Sequence, residues 1–169
     1  MKRMLLAAAL LFCGSSCFAE SMNHKFGLGM RSDSADVRYF ITDWLGVHAG
    51  TSLWYQSADK GQGRDASGYS AMFGAFYNKE LKDIKEGVFF QSGLTTAYDW
   101  GKSDAYAQEY HEWVLNPYVG GEMVYKGRFG VDFKVIPFQF IRYVERGNCF
   151  TGWGSMAASM GAHIYFGGS

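Results

Sequence analysis

Histidine and serine side chains are the first candidates for chemistry in this chain of 169 residues and four histidines. A serine nucleophile activated by a histidine base requires hydrogen-bond contact between the two side chains. Two pairs share one spacing, Ser159 with His163 and His48 with Ser52. Four residues along a strand span about 13 Å, which is too far for such contact. We therefore expect no catalytic residue, and we interpret both histidines as packing or hydrogen-bonding groups.

Metal binding is the second chemistry that the residue types suggest. His111 lies next to Glu112 and near Glu109, so it could serve as a loop base or a metal ligand. A solvated loop is the preferred interpretation. Asp59 and Asp65, with glycines between them, are similar to a cation loop but lack the spacing of a calcium motif. The sequence therefore predicts no metal and no cofactor.

Alternation of apolar and polar residues identifies the elements that must position these groups. Successive side chains of a strand point to opposite faces, so strict alternation predicts a two-faced strand. Between residues 127 and 136, one face carries Phe129, Val131, Phe133 and Val135, and the other carries Arg128, Gly130, Asp132 and Lys134. Seven further segments alternate in this way, and the last two strands span 127–143 and 150–166. Pro137 cannot donate to the ladder, so it predicts a bulge with the apolar face switching to Phe138 and Phe140.

Eight such strands predict an all-β fold, namely an eight-stranded antiparallel up-and-down transmembrane β-barrel. The alternative is a soluble sandwich or lipocalin-like barrel, whose apolar face points inward. Glycine-rich polar faces favour the membrane barrel, because the narrow interior of eight strands leaves little room for bulky side chains. The charged residues of the polar faces, four of each sign, then form an interior network of Lys25, Arg31, Asp36, Arg38, Asp99, Glu122, Asp132 and Lys134. Such a balanced interior predicts a packed lumen and not an open pore.

Aromatic residues gather near the predicted strand ends, where rings with a polar tip favour the boundary between hydrocarbon and water. The predicted interface aromatics are Tyr55, Tyr69, Tyr77, Tyr98, Trp113, Tyr125, Tyr143 and Phe166. An amino terminus in the periplasm places the connections at 42–43, 79–86 and 126–127 inside. The charged segment 79–86 is interpreted as a solvated turn, with contact to a periplasmic partner as the alternative. The loops at 57–68 and 99–112 then lie outside.

The first residues predict export. A basic start, an apolar stretch and small residues up to Ala19 indicate a cleaved signal peptide at 1–19 and a barrel domain at 20–169. Lipidation at Cys17 is the alternative. Cleavage removes two of the 16 basic residues and no acidic residue, so 14 basic residues remain against 16 acidic ones. This balance excludes a polycation that binds nucleic acid. Cys149 is the remaining cysteine, so no internal disulfide is expected.

The pattern of the whole mature chain resembles the small eight-stranded outer-membrane barrels, such as OmpX and the barrel domain of OmpA. The hairpin from Asn116–Gly121 through Gly130–Phe133 is similar to the penultimate hairpin of that family. The family ends on a phenylalanine that the barrel assembly machinery reads; Phe166 fits this rule, whereas the following Gly167–Ser169 departs from it. The resemblance implies the outer membrane of a Gram-negative bacterium, with outer-membrane lipid, lipopolysaccharide and the barrel assembly machinery as partners.

The resulting functional prediction is an integral outer-membrane barrel with a structural or surface-interaction, adhesion-like role. Its loops at 57–68 and 99–112 mix glycine, charge and aromatic residues, so they could bind an extracellular ligand. We expect a monomer without enzymatic activity. The alternative is a lipid-A-modifying or other outer-membrane enzyme, and a further alternative is a small channel or a soluble lipocalin-like barrel.

Overall fold

The structure is a computed structural model that describes residues 21–32, 34–56, 66–103, 108–145 and 148–167. Ten strand segments form one antiparallel sheet. Their bounds are β1 Phe26–Arg31, β2 Ala35–Phe40, β3 Leu45–Gln56, β4 Ala66–Glu80, β5 Val88–Ser103, β6 Gln108–Tyr125, β7 Phe129–Ile136, β8 Gln139–Glu145, β9 Asn148–Gly154 and β10 Ala157–Phe166. No helix in this part of the chain is long and apolar enough to cross a membrane.

The sheet closes on itself. Strands β1 to β6 pair in chain order, β6 pairs with β7, and β10 joins β7 to β1. Strand β8 continues the line of β7 along β6, and β9 pairs with β8. The segments β7 and β8 therefore make one interrupted wall strand, and β9 and β10 make another. The wall has eight antiparallel strands in up-and-down order, and the predicted barrel is confirmed.

The predicted bulge at Pro137 is also confirmed, because the chain leaves the ladder between β7 and β8. Phe138 and Phe140 then continue the exposed apolar face of β7, as the sequence predicts. The neighbouring wall strand is interrupted at the same level, at residues 155–156, since 136 pairs with 157 and 139 with 154. This second break is not among the sequence predictions. In both wall strands, the alternation of inward-facing and outward-facing residues shifts by one position there.

The connections 41–44, 81–87 and 126–128 lie at the end of the barrel that also holds residues 21–25, called the turn end here. Lys126 and Gly127 both have positive φ, at 50° and 59°, and the Arg128 N–H donates to the Tyr125 carbonyl at 3.1 Å. Two positive φ values at the central positions define the type I′ turn that suits a hairpin. The connection predicted at 126–127 is confirmed, and it is a tight hairpin turn.

At the opposite end, called the loop end, the strands extend further than the sequence predicts. β4 begins at Ala66, β5 continues to Ser103 and β6 begins at Gln108. The predicted loop bounds of 57–68 and 99–112 are therefore wrong at these ends. Polar residues stand at consecutive positions of the sequence near the loops, for example Lys102 and Ser103 or Gln108 and Glu109, so alternation of hydrophobicity no longer marks the strand there.

Apolar rings fill the interior near the turn end. Phe40 meets Phe76 and Tyr165 edge-on, with ring centroids 5.2 Å and 5.7 Å apart. The segment 21–25 crosses this end, where the His24 N–H donates to the Phe40 carbonyl at 2.9 Å. The buried group is called the aromatic plug and consists of Met22, Phe40, Phe76, Phe89, Tyr118, Val124 and Tyr165.

Candidate functional site: the charged interior

Arg38 is the centre of a buried group of charges next to the aromatic plug. Alternation along β2 sends Asp36 and Arg38 inward. The guanidinium of Arg38 contacts Asp36 at 3.3 Å, Glu122 at 3.3 Å and also Asp132. A second guanidinium, that of Arg31, lies 2.8 Å from Asp132. The structure thus brings five residues of the predicted network together, and these five are called the ionic cluster.

Three side chains outside the predicted network add hydrogen bonds to the ionic cluster. His163 Nε2 lies 2.7 Å from Asp36 Oδ1, and Gln91 Nε2 donates to Glu122 at 2.6 Å. The Tyr165 hydroxyl donates to the other oxygen of Glu122. Buried charges require such partners because water is excluded. The sequence places these residues on inward positions, but their residue types give no signal of a charged partner.

The other three predicted network residues lie apart from this centre. The Lys134 ammonium sits 4.0 Å from the centroid of the Tyr118 ring, a cation–π contact. Lys25 Nζ donates to a carbonyl oxygen of the β6–β7 turn at 2.9 Å. Asp99 is half-buried nearer the loop end, in register with Glu112. The interior charges are therefore spread over three levels of the barrel.

Most of the predicted interface aromatics lie on the outer face of the wall. These are Tyr69, Tyr77, Tyr98, Trp113, Tyr125 and Phe166. The prediction is wrong for Tyr143. The bulge at 137–138 reverses the alternation of inward-facing and outward-facing residues, so Tyr143 pairs with Glu112 at an inward position. The side chain of Tyr55 lies outside the described residues. A role of these rings at a membrane interface stays a prediction.

The histidines that suggested catalysis contact groups other than serine. His48 Nε2 lies 3.0 Å from the Thr95 hydroxyl inside the barrel. His111, which the sequence predicted in a loop, instead belongs to β6, and its Nδ1 lies 2.6 Å from the Tyr98 hydroxyl. The Ser159 hydroxyl accepts a hydrogen bond from a guanidinium of the ionic cluster at 3.3 Å. These contacts give the imidazoles structural partners.

One group of side chains has the spacing of metal ligands. Glu122, Asp132 and His163 each offer a donor atom, and the three atoms lie within 4.8 Å of one another. Both guanidinium groups of the ionic cluster occupy the same carboxylates, so a divalent cation would have to displace them. We assign no metal to this group. The predicted cation-loop residues Asp59 and Asp65 lie outside the described residues.

No protein-family model and no curated protein matches the chain. Among solved structures, it is similar to the N-terminal β-barrel domain of Pseudomonas aeruginosa OprF, with 12% identity and a TM-score of 0.49 over 87% of this chain and 100% of that chain. It is also similar to Ail, the attachment invasion locus protein of Yersinia pestis, with 13% identity and a TM-score of 0.41 over 84% of this chain and 94% of that chain. Likenesses this distant carry no functional information, and the barrel is established by its own strand pairing.

Proposed function

We propose that the chain is an integral protein of a Gram-negative outer membrane, with a packed polar interior and a surface-interaction role at its loop end. One observation supports this proposal: the polarity of the barrel is the reverse of that of a soluble protein. Leu53 on the outer wall is 86% exposed, whereas Arg38 and Asp132 inside are each 1% exposed. Water would disfavour such an arrangement, and lipid favours it.

The exposed apolar surface is continuous around the barrel. Every wall strand contributes at least one large exposed apolar side chain, for example Leu28, Val37, Leu53, Phe73, Leu94, Val119, Phe133 and Ile164. Soluble monomers rarely expose contiguous apolar patches larger than a few hundred Å². The alternative of a soluble lipocalin-like barrel requires these side chains to point inward, so their exposure on the outer wall counts against it.

The interior favours a closed barrel over a channel. The aromatic plug fills the turn end, and the ionic cluster fills the adjacent level. Eight strands enclose only enough space for side chains, whereas open channels belong to barrels of about 16 strands or more. Function is therefore assigned to the surface, where outer-membrane lipid, lipopolysaccharide and an extracellular ligand are the proposed partners. The barrel assembly machinery is the proposed partner during insertion.

Heat-modifiable migration tests the membrane barrel. The mature chain, refolded into detergent or lipid vesicles, should migrate differently in SDS before and after boiling, because the closed strand ladder resists the detergent until it is heated. Burial of tryptophan in the bilayer, measured by quenching with brominated lipid chains, should accompany the folded band. Identical migration of boiled and unboiled samples, together with solubility in the absence of detergent, would contradict the proposal.

Removal of a loop tests the surface-interaction role. Because β4 begins at Ala66, residues 58–65 can be replaced by a short glycine-serine linker without shortening the wall. Cells that display the intact protein should attach to host cells or to matrix-coated surfaces better than cells that display this variant. A loop of the same composition in scrambled order serves as the control. Equal attachment by all three would remove adhesion from the proposal and leave the membrane barrel intact.

A further inference from the structure

A cleft at the turn end carries charges of both signs beside the apolar outer wall. Its volume is about 410 Å³, within the range of roughly 300–1,000 Å³ that is usual for small-ligand sites. Met22 and Phe89 of the aromatic plug form its apolar lining. The polar lining consists of Ser21, Asp43, Asn78, Lys79, Glu80 and Lys82. We propose that this cleft binds the headgroup of a zwitterionic phospholipid, phosphatidylethanolamine, from the inner leaflet of the membrane.

The rim of the cleft lies where a lipid headgroup would be. Trp44 and Tyr77 line it and are exposed on the outside, with ring centroids 6.4 Å apart. Such rings mark the boundary between headgroups and hydrocarbon. Ala75 and Phe73 continue the exposed outer face of β4 above Tyr77, so acyl chains can lie along this strand. This step rests on the proposed function, which places this wall in a bilayer.

The anionic side of the cleft fits an ammonium group. Asp43 accepts hydrogen bonds from the Ser21 hydroxyl at 2.7 Å and from the Asn23 N–H at 2.9 Å. The Ser21 hydrogen bond is the main reason that the pKa of Asp43 lies below its usual value, so this carboxyl is ionised at neutral pH. The carboxylate is exposed and can accept a further charge-assisted hydrogen bond.

The cationic side fits a phosphate. Lys79 and Lys82 are both exposed at the cleft. Lys82 Nζ lies 3.5 Å from Glu80, but the Lys82 side chain is 75% exposed, so its ammonium can turn toward a phosphate at small cost. Two cations, Lys79 and Lys82, and two carboxylates, Asp43 and Glu80, line the cleft, and together they match the phosphate and the ammonium of a single zwitterionic headgroup. Phosphatidylcholine lacks ammonium hydrogens to donate, and phosphatidylglycerol lacks the cation.

Native mass spectrometry of the full mature chain in a neutral detergent tests this assignment. The apparent dissociation constant of the first bound lipid is measured for phosphatidylethanolamine, phosphatidylcholine and phosphatidylglycerol with identical acyl chains. We expect phosphatidylethanolamine to bind about fivefold or more tightly than the other two, which is the size of effect that one or two exposed charge-assisted contacts produce. Equal binding of the three lipids, or tighter binding of phosphatidylglycerol, would overturn the assignment.

Charge-neutralising variants separate the two sides of the cleft. Asp43→Asn keeps an acceptor for Ser21 but should remove the preference over phosphatidylglycerol. The double variant Lys79→Gln with Lys82→Gln should weaken the binding of all three lipids, because each carries a phosphate. Asp83→Asn and Arg128→Gln are matched controls, because both residues are exposed at the same end and neither lines the cleft. Charge-neutralising variants that bind the three lipids as these controls do would count against the headgroup site. Purified protein that retains a peptide in the cleft instead of a lipid would also count against it.

Heat-modifiable migration is recorded on the same preparations. A chain that does not form the folded band contradicts the membrane proposal itself. A chain that forms the band but shows no headgroup preference contradicts only the cleft assignment.

Discussion

At the scale of single residues, Arg38 determines the energetics of the interior. Its guanidinium is buried and contacts Asp36, Glu122 and Asp132. Removing one partner of a buried ion pair costs about 3–5 kcal/mol, because the charges left behind have no compensation. Arg38→Met should therefore lower the free energy of unfolding by about that amount, measured by urea denaturation in lipid vesicles with tryptophan fluorescence as the signal.

Arg128→Met is the control for this prediction, since Arg128 is exposed in the β6–β7 turn. A surface substitution of this kind should change the free energy of unfolding by less than about 0.5 kcal/mol. Equal stability of the two variants would show that Arg38 is dispensable and that the carboxylates find other partners.

The residues of the ionic cluster could be predicted because charge on the polar face of an alternating strand is a strong signal. Their neutral partners could not. Gln91 and Tyr165 are ordinary strand residues in the sequence, and only the register of facing strands brings them to Glu122. Tyr143 shows a different kind of error. It was predicted as an interface aromatic on the outer face, but the bulge shifts the alternation of β8 by one residue, so Tyr143 occupies an inward position.

At the scale of elements, glycines and rings alternate from strand to strand inside the barrel. One row of register partners runs Phe40, Gly46, Phe76, Gly93 and Tyr118. Each glycine leaves room for the ring that lies over it, because a narrow barrel cannot hold large side chains at every position. This explains the glycine-rich polar faces that favoured a membrane barrel in the sequence.

Gly93→Ala tests this spacing. A Cβ at this position would lie 2.6 Å from the Ala75 carbonyl oxygen and 2.7 Å from Tyr118 Cζ, so the backbone and the ring must both shift. We expect a loss of about 1–3 kcal/mol in the free energy of unfolding. Gly152→Ala is the matched control, because a Cβ there meets nothing within 4 Å. Comparable folded fractions of the two variants in unboiled SDS gels would contradict the steric explanation.

Strand boundaries show what sequence patterns can and cannot predict. The bulge at Pro137 was predictable because proline cannot donate to a ladder. The matching break at 155–156 has no proline, and it follows from the geometry of the adjacent wall strand. The extension of β5 to Ser103 could not be predicted, because backbone pairing continues where the apolar face ends.

At the scale of the whole molecule, the aromatic plug and the ionic cluster are two barriers inside the barrel. The aromatic plug closes the turn end with Met22, which is 2% exposed, and the ionic cluster closes the level beside it. Purified protein in planar bilayers should therefore show no large, stable conductance.

Met22→Gly distinguishes the two barriers. This change removes the side chain that the segment 21–25 contributes to the plug, and it leaves every contact of the ionic cluster in place. If the cluster is a barrier in its own right, single-channel recordings of the variant should remain as silent as those of the intact protein. Stable openings caused by Met22→Gly alone would show that the plug is the sole barrier, and the charged interior would then have to be reinterpreted as the lining of a pore.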